Sequence, residues 1–399
     1  MDRIASKDKC TGCGACSYVC PKSCIKMIEL GFDGLLPVLD AGDCINCGRC
    51  TRVCPVKTPI EKHSQIEVYA SWHVNADMRR KCASSGTASA MYSEALSKGW
   101  YIAGAVAVSA VAVEMKLGEN ADAIRDFGNS KYVFSSCEKL YAQLKSVLEN
   151  GRNVLFIGLP CQVAAISNLF KSKRDQMILV DLVCHGTNAK RYLQQHVAYI
   201  ESLTKSKVNK VIFREGNVFL IKMLDEDENV IYSETSLYKD EYLFGYHRGM
   251  FYRENCYQCQ YACPERISDI TLKDYWGLGN CGSIDYPKER VSAVLVNTER
   301  GFSFFKECIK DNSVIAFKRP LEEPIKGDFQ LQHPTLIKPE KIKFDSLMSS
   351  EGYDFESAMR IIARKKQRED YWDRIIKNSL MKFYLLRSKI YHLIVDRLK

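Results

Sequence analysis

The sequence has no uninterrupted apolar run long enough to span a bilayer as a helix. Its first residues, MDRIASKDKC, lack the apolar core of a secretory signal peptide, so the expected location is cytoplasmic. Net charge is also small over most of the chain. Residues 360–399 hold twelve Lys or Arg and four Asp or Glu, a net +8 of the total +9. Because no recognised nucleic-acid-binding module accompanies this charge, nucleic acid is not an expected partner.

Cysteine, in contrast, is abundant, with 18 residues that fall mainly in tight C-x-x-C sets. In a reducing compartment such sets are typical of metal ligands. The chain begins with two copies of C-x2-C-x2-C-x3-C-P, the pattern of two-cluster ferredoxins, in which the fourth cysteine of each copy ligates the other cluster. Zinc would not require the third cysteine of each run. We therefore predict two 4Fe–4S clusters, one on Cys10, Cys13, Cys16 and Cys54 and one on Cys20, Cys44, Cys47 and Cys50.

The middle of the chain alternates apolar segments typical of buried strands with helical segments. This alternation predicts an α/β (mixed α+β) fold with at least partly parallel strands. The predicted strand VLFIGL is followed by Cys161, and the predicted strand MILVDLV is followed by Cys184 and His185. Ligands of such sheets bind beyond the carboxyl ends of the strands. We therefore expect both cysteines at a binding site.

A third group of cysteines lies in ENCYQCQYAC, which contains Cys256, Cys259 and Cys263. We predict a third 4Fe–4S cluster on Cys161, Cys184, Cys256 and Cys259, with Cys263 as a spare or an alternative fourth ligand. The alternatives are buried free thiols and a zinc site. The remaining cysteines are interpreted as core or loop residues, although Cys82 could line a site: Cys24, Cys82, Cys137, Cys281 and Cys308.

The segment SSGT (Ser84, Ser85, Gly86 and Thr87) begins a predicted helix. Free N–H groups at a helix start suit a phosphate, and Lys131 could balance the charge of a pyrophosphate. A simple helix cap is the alternative interpretation.

Several segments, in order, resemble the family of coenzyme F420-reducing hydrogenase and dehydrogenase beta subunits: ASSGTASA, GNSKYVFSS, FIGLPCQVAAI, DLVCHGT and CYQCQYACPERISDITLKDYWGL. The resemblance extends from about residue 70 to about residue 300. It implies FAD beside a 4Fe–4S cluster, with electrons passing between the clusters and a substrate by way of the flavin. The preceding two-cluster domain is similar to that of bacterial members, which can lack the deazaflavin coenzyme.

The resemblance also implies roles for individual residues. Its cluster motif falls on the four cysteines already proposed for the third cluster. Asp269 and Asp274, which flank the strand ITL, become candidate site residues, and His185 becomes a candidate catalytic proton donor or, alternatively, a structural histidine. Thr87 replaces a second glycine of the family's loop and can donate a hydrogen bond there. The implied flavin-binding residues are Ser84, Ser85, Gly86, Thr87, Ser130, Lys131, Tyr132 and Asp274.

We expect three parts: a two-cluster domain (1–60), a flavin and iron–sulfur domain (68–340) and a basic helical tail (350–399). The apolar stripe of the tail suits packing on the protein or a partner, and peripheral membrane contact is the alternative. The leading hypothesis is an iron–sulfur flavoprotein oxidoreductase that exchanges electrons with a redox partner protein or a small molecule. An electron-transfer subunit without its own substrate and a structural iron–sulfur or zinc protein are the alternatives. The substrate, the direction of electron flow, the use of coenzyme F420 and the oligomeric state stay open.

Overall fold

The structure, a computed structural model, describes residues 4–369. Its strands are β1 (Ile25–Glu29), β2 (Leu35–Leu39), β3 (Glu67–His73), β4 (Tyr101–Ser109), β5 (Ala112–Gly118), β6 (Ser135–Ser136), β7 (Val154–Gly158), β8 (Met177–Leu182), β9 (Lys210–Glu215), β10 (Val218–Leu224), β11 (Val230–Glu234), β12 (Ile270–Asp274), β13 (Ser292–Val296) and β14 (Val314–Arg319). Its helices are α1 (Ala15–Tyr18), α2 (Arg49–Val53), α3 (Ala76–Lys81), α4 (Thr87–Ser97), α5 (Ala121–Phe127), α6 (Glu138–Glu149), α7 (Pro160–Leu169), α8 (Lys190–Thr204), α9 (Glu241–His247), α10 (Glu299–Lys310), α11 (Glu322–Lys326) and α12 (Pro339–Met348). Residues 355–369 form a further helix.

A mixed sheet of nine strands organises the larger part of the molecule, in the order β14-β3-β13-β12-β8-β7-β4-β5-β6. The neighbours β12, β8, β7 and β4 run parallel, whereas β13, β3 and β14 pair antiparallel at one side. The carboxyl ends of the parallel strands therefore meet at one edge. The predicted α/β fold class is confirmed.

Helices cover both faces of this sheet, which explains why its central strands β7 and β8 consist mainly of apolar residues. On one face, α4 and α10 pack on Leu155 and Val180. On the other, α6 and α7 pack on Phe156 and Leu179, the alternating residues of the same strands. Both strands thus bury every side chain from Val154 to Gly158 and from Met177 to Asp181.

The N-terminal part consists of the hairpin β1–β2, α1 and α2, and it packs against α6 and α7. Ala15 is fully buried in that contact. The Tyr141 hydroxyl donates to the carbonyl of Cys13 (2.6 Å), and the Asn168 amide donates to the carbonyl of Thr58 (2.9 Å). The N-terminal cysteine motifs are therefore held against the sheet domain.

At the C-terminal end, most apolar side chains of residues 355–369 are buried, and Ile361 is the exposed exception. Phe355, Met359 and Ile362 join a core with Phe251 and Phe344. The predicted tail beyond residue 369, including its apolar stripe, lies outside the described residues. Within residues 4–369, none of the helices combines the length and the apolar character needed to cross a membrane.

Candidate functional site

The first thiol set is assembled from both copies of the cysteine repeat. One small cavity is lined by Cys10, Cys13, Cys16 and Cys54, and also by Cys50. Burial raises the pKa of Cys13 to about 11, and the neighbouring Cys10 contributes to that rise. For Cys16, burial and then the charges of Cys13, Cys10 and Cys54 raise the pKa. The loops thus bring together the crossed set that the spacing predicts.

The second thiol set lies closer to the surface. Its cavity is lined by Cys20, Cys44, Cys47 and Cys50, and Cys47 is exposed. Cys24 also lines this cavity, with its Sγ 3.3 Å from that of Cys20. Because Cys50 borders both cavities, the two sets are neighbours.

The third set gathers four cysteines from distant parts of the sequence. Cys161 begins α7 directly after β7, and Cys184 follows the parallel neighbour β8. Cys256 and Cys259 lie at the short 3₁₀ helix Glu254–Gln258. All four line a cavity of ≈ 310 Å³. Burial raises the pKa of Cys184, and the charges of Cys256 and Cys259 raise it further.

A zinc ion is the alternative occupant of these thiol sets. Zinc would draw its ligand sulfurs to about 2.3 Å from one centre. Among residues 4–369, no three His, Cys, Asp or Glu side chains converge closely enough to hold one metal ion.

Arg253 connects the first and third thiol sets. Its side chain is 4% exposed, lines the third cavity and stacks on the ring of Phe134 at 4.5 Å. Nη1 donates to the carbonyl of Thr11 (2.7 Å), and Nη2 donates to the carbonyl of Leu35 (3.1 Å). A buried positive charge thus lies between two groups of thiols, and it also joins the N-terminal part to the sheet domain.

A larger cavity of ≈ 460 Å³ adjoins the third thiol set at the carboxyl edge of the sheet. The two cavities share Leu159, Cys184, Gly186 and Thr187 as lining residues. Seven of the eight residues that the resemblance assigned to flavin binding line the larger cavity, as does His185: Ser84, Gly86, Thr87, Ser130, Lys131, Tyr132 and Asp274.

Titratable side chains form one wall of the larger cavity. The imidazole of His185 packs edge-on against Trp276 and lies 3.8 Å from the Asp328 carboxylate. Asp328 forms a buried ion pair with Lys273 (3.0 Å). Burial lowers the pKa of His185 and of Lys273 below their usual values. This wall therefore places a neutral imidazole, an ammonium and a carboxylate beside the space.

Residues 151–322 match the family model that describes the carboxyl terminus of the coenzyme F420 hydrogenase/dehydrogenase beta subunit. This segment belongs to that family. Two models described as 4Fe-4S dicluster domains match residues 9–58 and 36–87. The first range contains all eight cysteines of the repeat, so the chain is an iron–sulfur protein with an electron-transfer role.

Among solved structures, the chain is similar to one from the F420-reducing [NiFe] hydrogenase complex of Methanosarcina barkeri, at 18% identity and a TM-score of 0.45. The similarity covers 77% of this chain and 92% of that one. No curated protein matches the chain.

The SSGT loop precedes the matched segment 151–322 in the chain, but its residues line the cavity of ≈ 460 Å³ described above. The predicted cap at Ser84 or Ser85 is replaced by Gly86, which has a φ of 82° at the N-cap of α4. A Cβ there would lie 2.9 Å from that of His73, so the position requires glycine. Ser85 lies behind the wall, where its hydroxyl bonds those of Thr87 and Ser292 (both 2.7 Å). The first residues of α4 face the cavity, which suits an anionic group.

Lys131 and Asp269 make contacts that differ from the roles predicted for them. The Lys131 ammonium donates to carbonyls at the end of α5, including Phe127 (3.1 Å) and Gly128 (2.5 Å), and burial lowers its pKa to about 8. It thereby caps a helix while its side chain lines the cavity. Asp269 lies at the opposite end of β12 from Asp274, where it accepts from Leu179 N–H and pairs with Arg174. Asp269 is absent from the cavity wall.

Cys263 is the one predicted ligand that lies apart. Its Sγ is 3.1 Å from the Lys62 ammonium, and it does not line the cavity of the other four cysteines. Between the two interpretations of this residue, the geometry favours the spare thiol.

Several cavity residues have no signal in the sequence motifs. Arg214 pairs with Asp274 (2.8 Å) and stacks on Phe219. Burial lowers the pKa of His247 to about 4, and its Nε2 is buried without a partner among the described residues. Arg253, which lies between the first and third thiol sets, is the one such residue that the sequence could have indicated, because it lies three residues before the predicted ligand Cys256. The others come from strand, helix and loop positions far from any motif.

Proposed function

We propose that the protein is an iron–sulfur flavoprotein oxidoreductase. The observation that carries this proposal is the continuous succession of sites. The second and first thiol cavities share Cys50, and the first and third share Thr11 and Val56. The third shares Cys184 with the large cavity. Such a succession is suited to carrying single electrons between the surface and a buried reaction site.

The residues present fit the groups that this function requires. Each thiol set offers four cysteines, the complement of a 4Fe–4S cluster. The large cavity combines a helix N-terminus with aromatic side chains; Tyr132 and Tyr246 stack at 4.5 Å in its wall. Those features suit the phosphates and the ring system of FAD. FAD, when bound, would couple single-electron transfer to two-electron chemistry on a substrate.

The titratable wall favours substrate chemistry over electron relay alone. His185 lines the cavity beside the thiol set, and its lowered pKa keeps the imidazole neutral near pH 7. A neutral imidazole can take a proton from a substrate or hold one at a nitrogen atom, while Asp328 stabilises the charged form that results. Trp276 and Phe329 hold the ring in place by edge contacts. A subunit without its own substrate would not require this arrangement.

The proposal is tested on protein purified without oxygen, by measuring iron, acid-labile sulfide and flavin released on denaturation. We expect about twelve irons per chain, which corresponds to three 4Fe–4S clusters, together with one FAD. About eight irons without flavin would contradict the proposal, because the chain would then carry only its N-terminal clusters.

We expect Ala105→Trp to abolish flavin binding. Ala105 lies on β4 and lines the large cavity, so an indole there would fill space that the flavin needs. The matched control is Ala107→Trp, two residues along the same strand at an exposed position. Flavin content and iron content are measured for both variants. Equal flavin in the two variants, with iron unchanged, would show that the flavin binds elsewhere.

We expect Arg253→Met to lower the reduction potentials of both adjacent clusters. A buried positive charge stabilises the more negative reduced state, so its removal makes reduction less favourable. Arg253→Lys retains the charge and serves as the comparison. This variant loses the paired hydrogen bonds that the two Nη atoms donate to the carbonyls of Thr11 and Leu35. Potentials are measured by redox titration followed by electron paramagnetic resonance. Identical potentials in the Met and Lys variants would overturn the electrostatic role.

A further inference from the structure

We propose that a basic groove beside the second thiol set binds a small acidic electron-carrier protein. This inference rests on the proposed electron-transfer function and assigns the surface at which the chain exchanges electrons with its partner. The groove has a volume of ≈ 640 Å³ and lies between α2 of the N-terminal part and the ends of α6 and α7.

The groove lies at the outer end of the succession of sites. It shares Cys20, Pro21 and Arg49 with the second thiol cavity. That cavity is the one with an exposed cysteine, Cys47, and with Ile45, whose side chain is 57% exposed beside it. A carrier bound in the groove would therefore be close to the most accessible of the three thiol sets.

The charge of the groove identifies the chemistry of its partner. Arg49, Arg52, Lys145 and Lys173 line it, and Glu149 is its one acidic lining residue, 3.8 Å from Lys145. Apolar side chains complete the surface, among them the half-buried Val53 and Leu169. A basic rim around an apolar floor is complementary to an acidic protein with an apolar contact patch.

Charge also argues against other occupants from this protein. Residues 370–399 carry seven Lys or Arg against three Asp, so the groove would repel them. A second copy of the chain would bring the same positively charged residues 360–399, which contribute +8 of its net +9. An acidic carrier has no such penalty. On each encounter one electron crosses the interface, so that the carrier is oxidised and the chain reduced, or the reverse, with no bond or proton exchanged.

The test uses the full chain, purified without oxygen, and an acidic bacterial two-cluster ferredoxin as the probe. Affinity is measured by calorimetry at low and at physiological salt for three proteins: wild type, Arg52→Glu/Lys145→Glu, and the control Lys210→Glu/Lys306→Glu. The two double variants change the net charge equally, but the control lysines are exposed residues of β9 and α10 outside the groove. Carbodiimide cross-linking then maps which lysines join carrier carboxylates.

We expect the groove variant to weaken binding by about tenfold or more at low salt, within the range of electrostatic effects on association. The control is expected to bind like wild type, and cross-links are expected at Lys145 or Lys173. Equal weakening in both variants, or cross-links only elsewhere, would overturn the assignment. Stronger binding of duplex DNA than of the carrier would overturn it in favour of a nucleic-acid site. Iron and flavin contents, measured on the same samples, separate failure of this proposal from failure of the proposed function.

Discussion

Replacing Cys184 with alanine is expected to lower the iron content from about twelve to about eight atoms per chain, the loss of one 4Fe–4S cluster. Cys184 follows β8 and lines both the third thiol cavity and the large cavity. Its removal leaves three thiols where four are required. Because the N-terminal thiol sets do not include this residue, their eight irons should remain.

The matched control for this prediction is Cys263→Ala. Cys263 belongs to the same sequence segment, but its Sγ is 3.1 Å from the Lys62 ammonium and outside the thiol cavity. We expect this variant to retain about twelve irons. Iron and sulfide analysis with electron paramagnetic resonance distinguishes the two variants. If Cys263→Ala lost four irons and Cys184→Ala lost none, the ligand assignment would be wrong.

The second large effect is expected at a buried triad that has no part in redox chemistry. The charged imidazole of His196 in α8 donates from both ring nitrogens: Nε2 lies 3.0 Å from the Asp240 carboxylate and Nδ1 lies 2.6 Å from that of Glu356. His196 and Asp240 have no exposed surface. Asp240 also caps α9 through Leu243 N–H (2.7 Å). The triad thus joins α8, α9 and the helix at residues 355–369.

We expect Asp240→Ala to destabilise the sheet domain by about 3–5 kcal/mol, the usual cost of breaking a buried ion pair by removing one member. The free energy of unfolding is measured by urea denaturation in the absence of oxygen. The control is Asp122→Ala, which removes an exposed pair with Arg125 and should cost less than about 1 kcal/mol. Equal losses in the two variants would show that the buried triad does not stabilise the fold.

The triad also predicts a pH dependence of stability. Although burial opposes charge on His196, the two carboxylates raise its pKa to about 10, and the charged imidazole lowers the pKa of Asp240. Tyr232, Tyr242 and Glu241 are further titratable groups beside the triad. The pKa of a histidine in the unfolded chain is about 6.5. The contribution of His196 is therefore complete below that pH and is lost as pH rises through about 10. We expect this decline to be smaller in Asp240→Ala.

Local patterns predicted much of the scaffold. The strands before Cys161 and Cys184 coincide with the predicted apolar segments, because both faces of the sheet are buried and nearly all residues of these segments are apolar. The crossed pairing of the first thiol set followed from its spacing alone. These features depend on neighbours in sequence, which is why periodicity and motif spacing detect them.

The failures have tertiary causes. Ser135 and Glu138 have the spacing of a capping box, but α6 begins at Glu138 with Cys137 as its N-cap. The Gln162 amide donates to both the carbonyl and the hydroxyl of Ser135, so this serine is engaged elsewhere. Asp328 reaches the cavity from a loop that no motif marks. Such contacts join positions far apart in the chain and cannot be obtained from local patterns.

The crossed first thiol set has a consequence for how such a domain is gained or lost in evolution. Cys54, from the second copy of the repeat, lines the cavity built mainly by the first copy, and Cys20 of the first copy lines the cavity of the second. A single copy could therefore complete neither set. Deletion of one copy would damage both sites at once, so the pair is expected to be inherited, fused and exchanged only as an undivided unit.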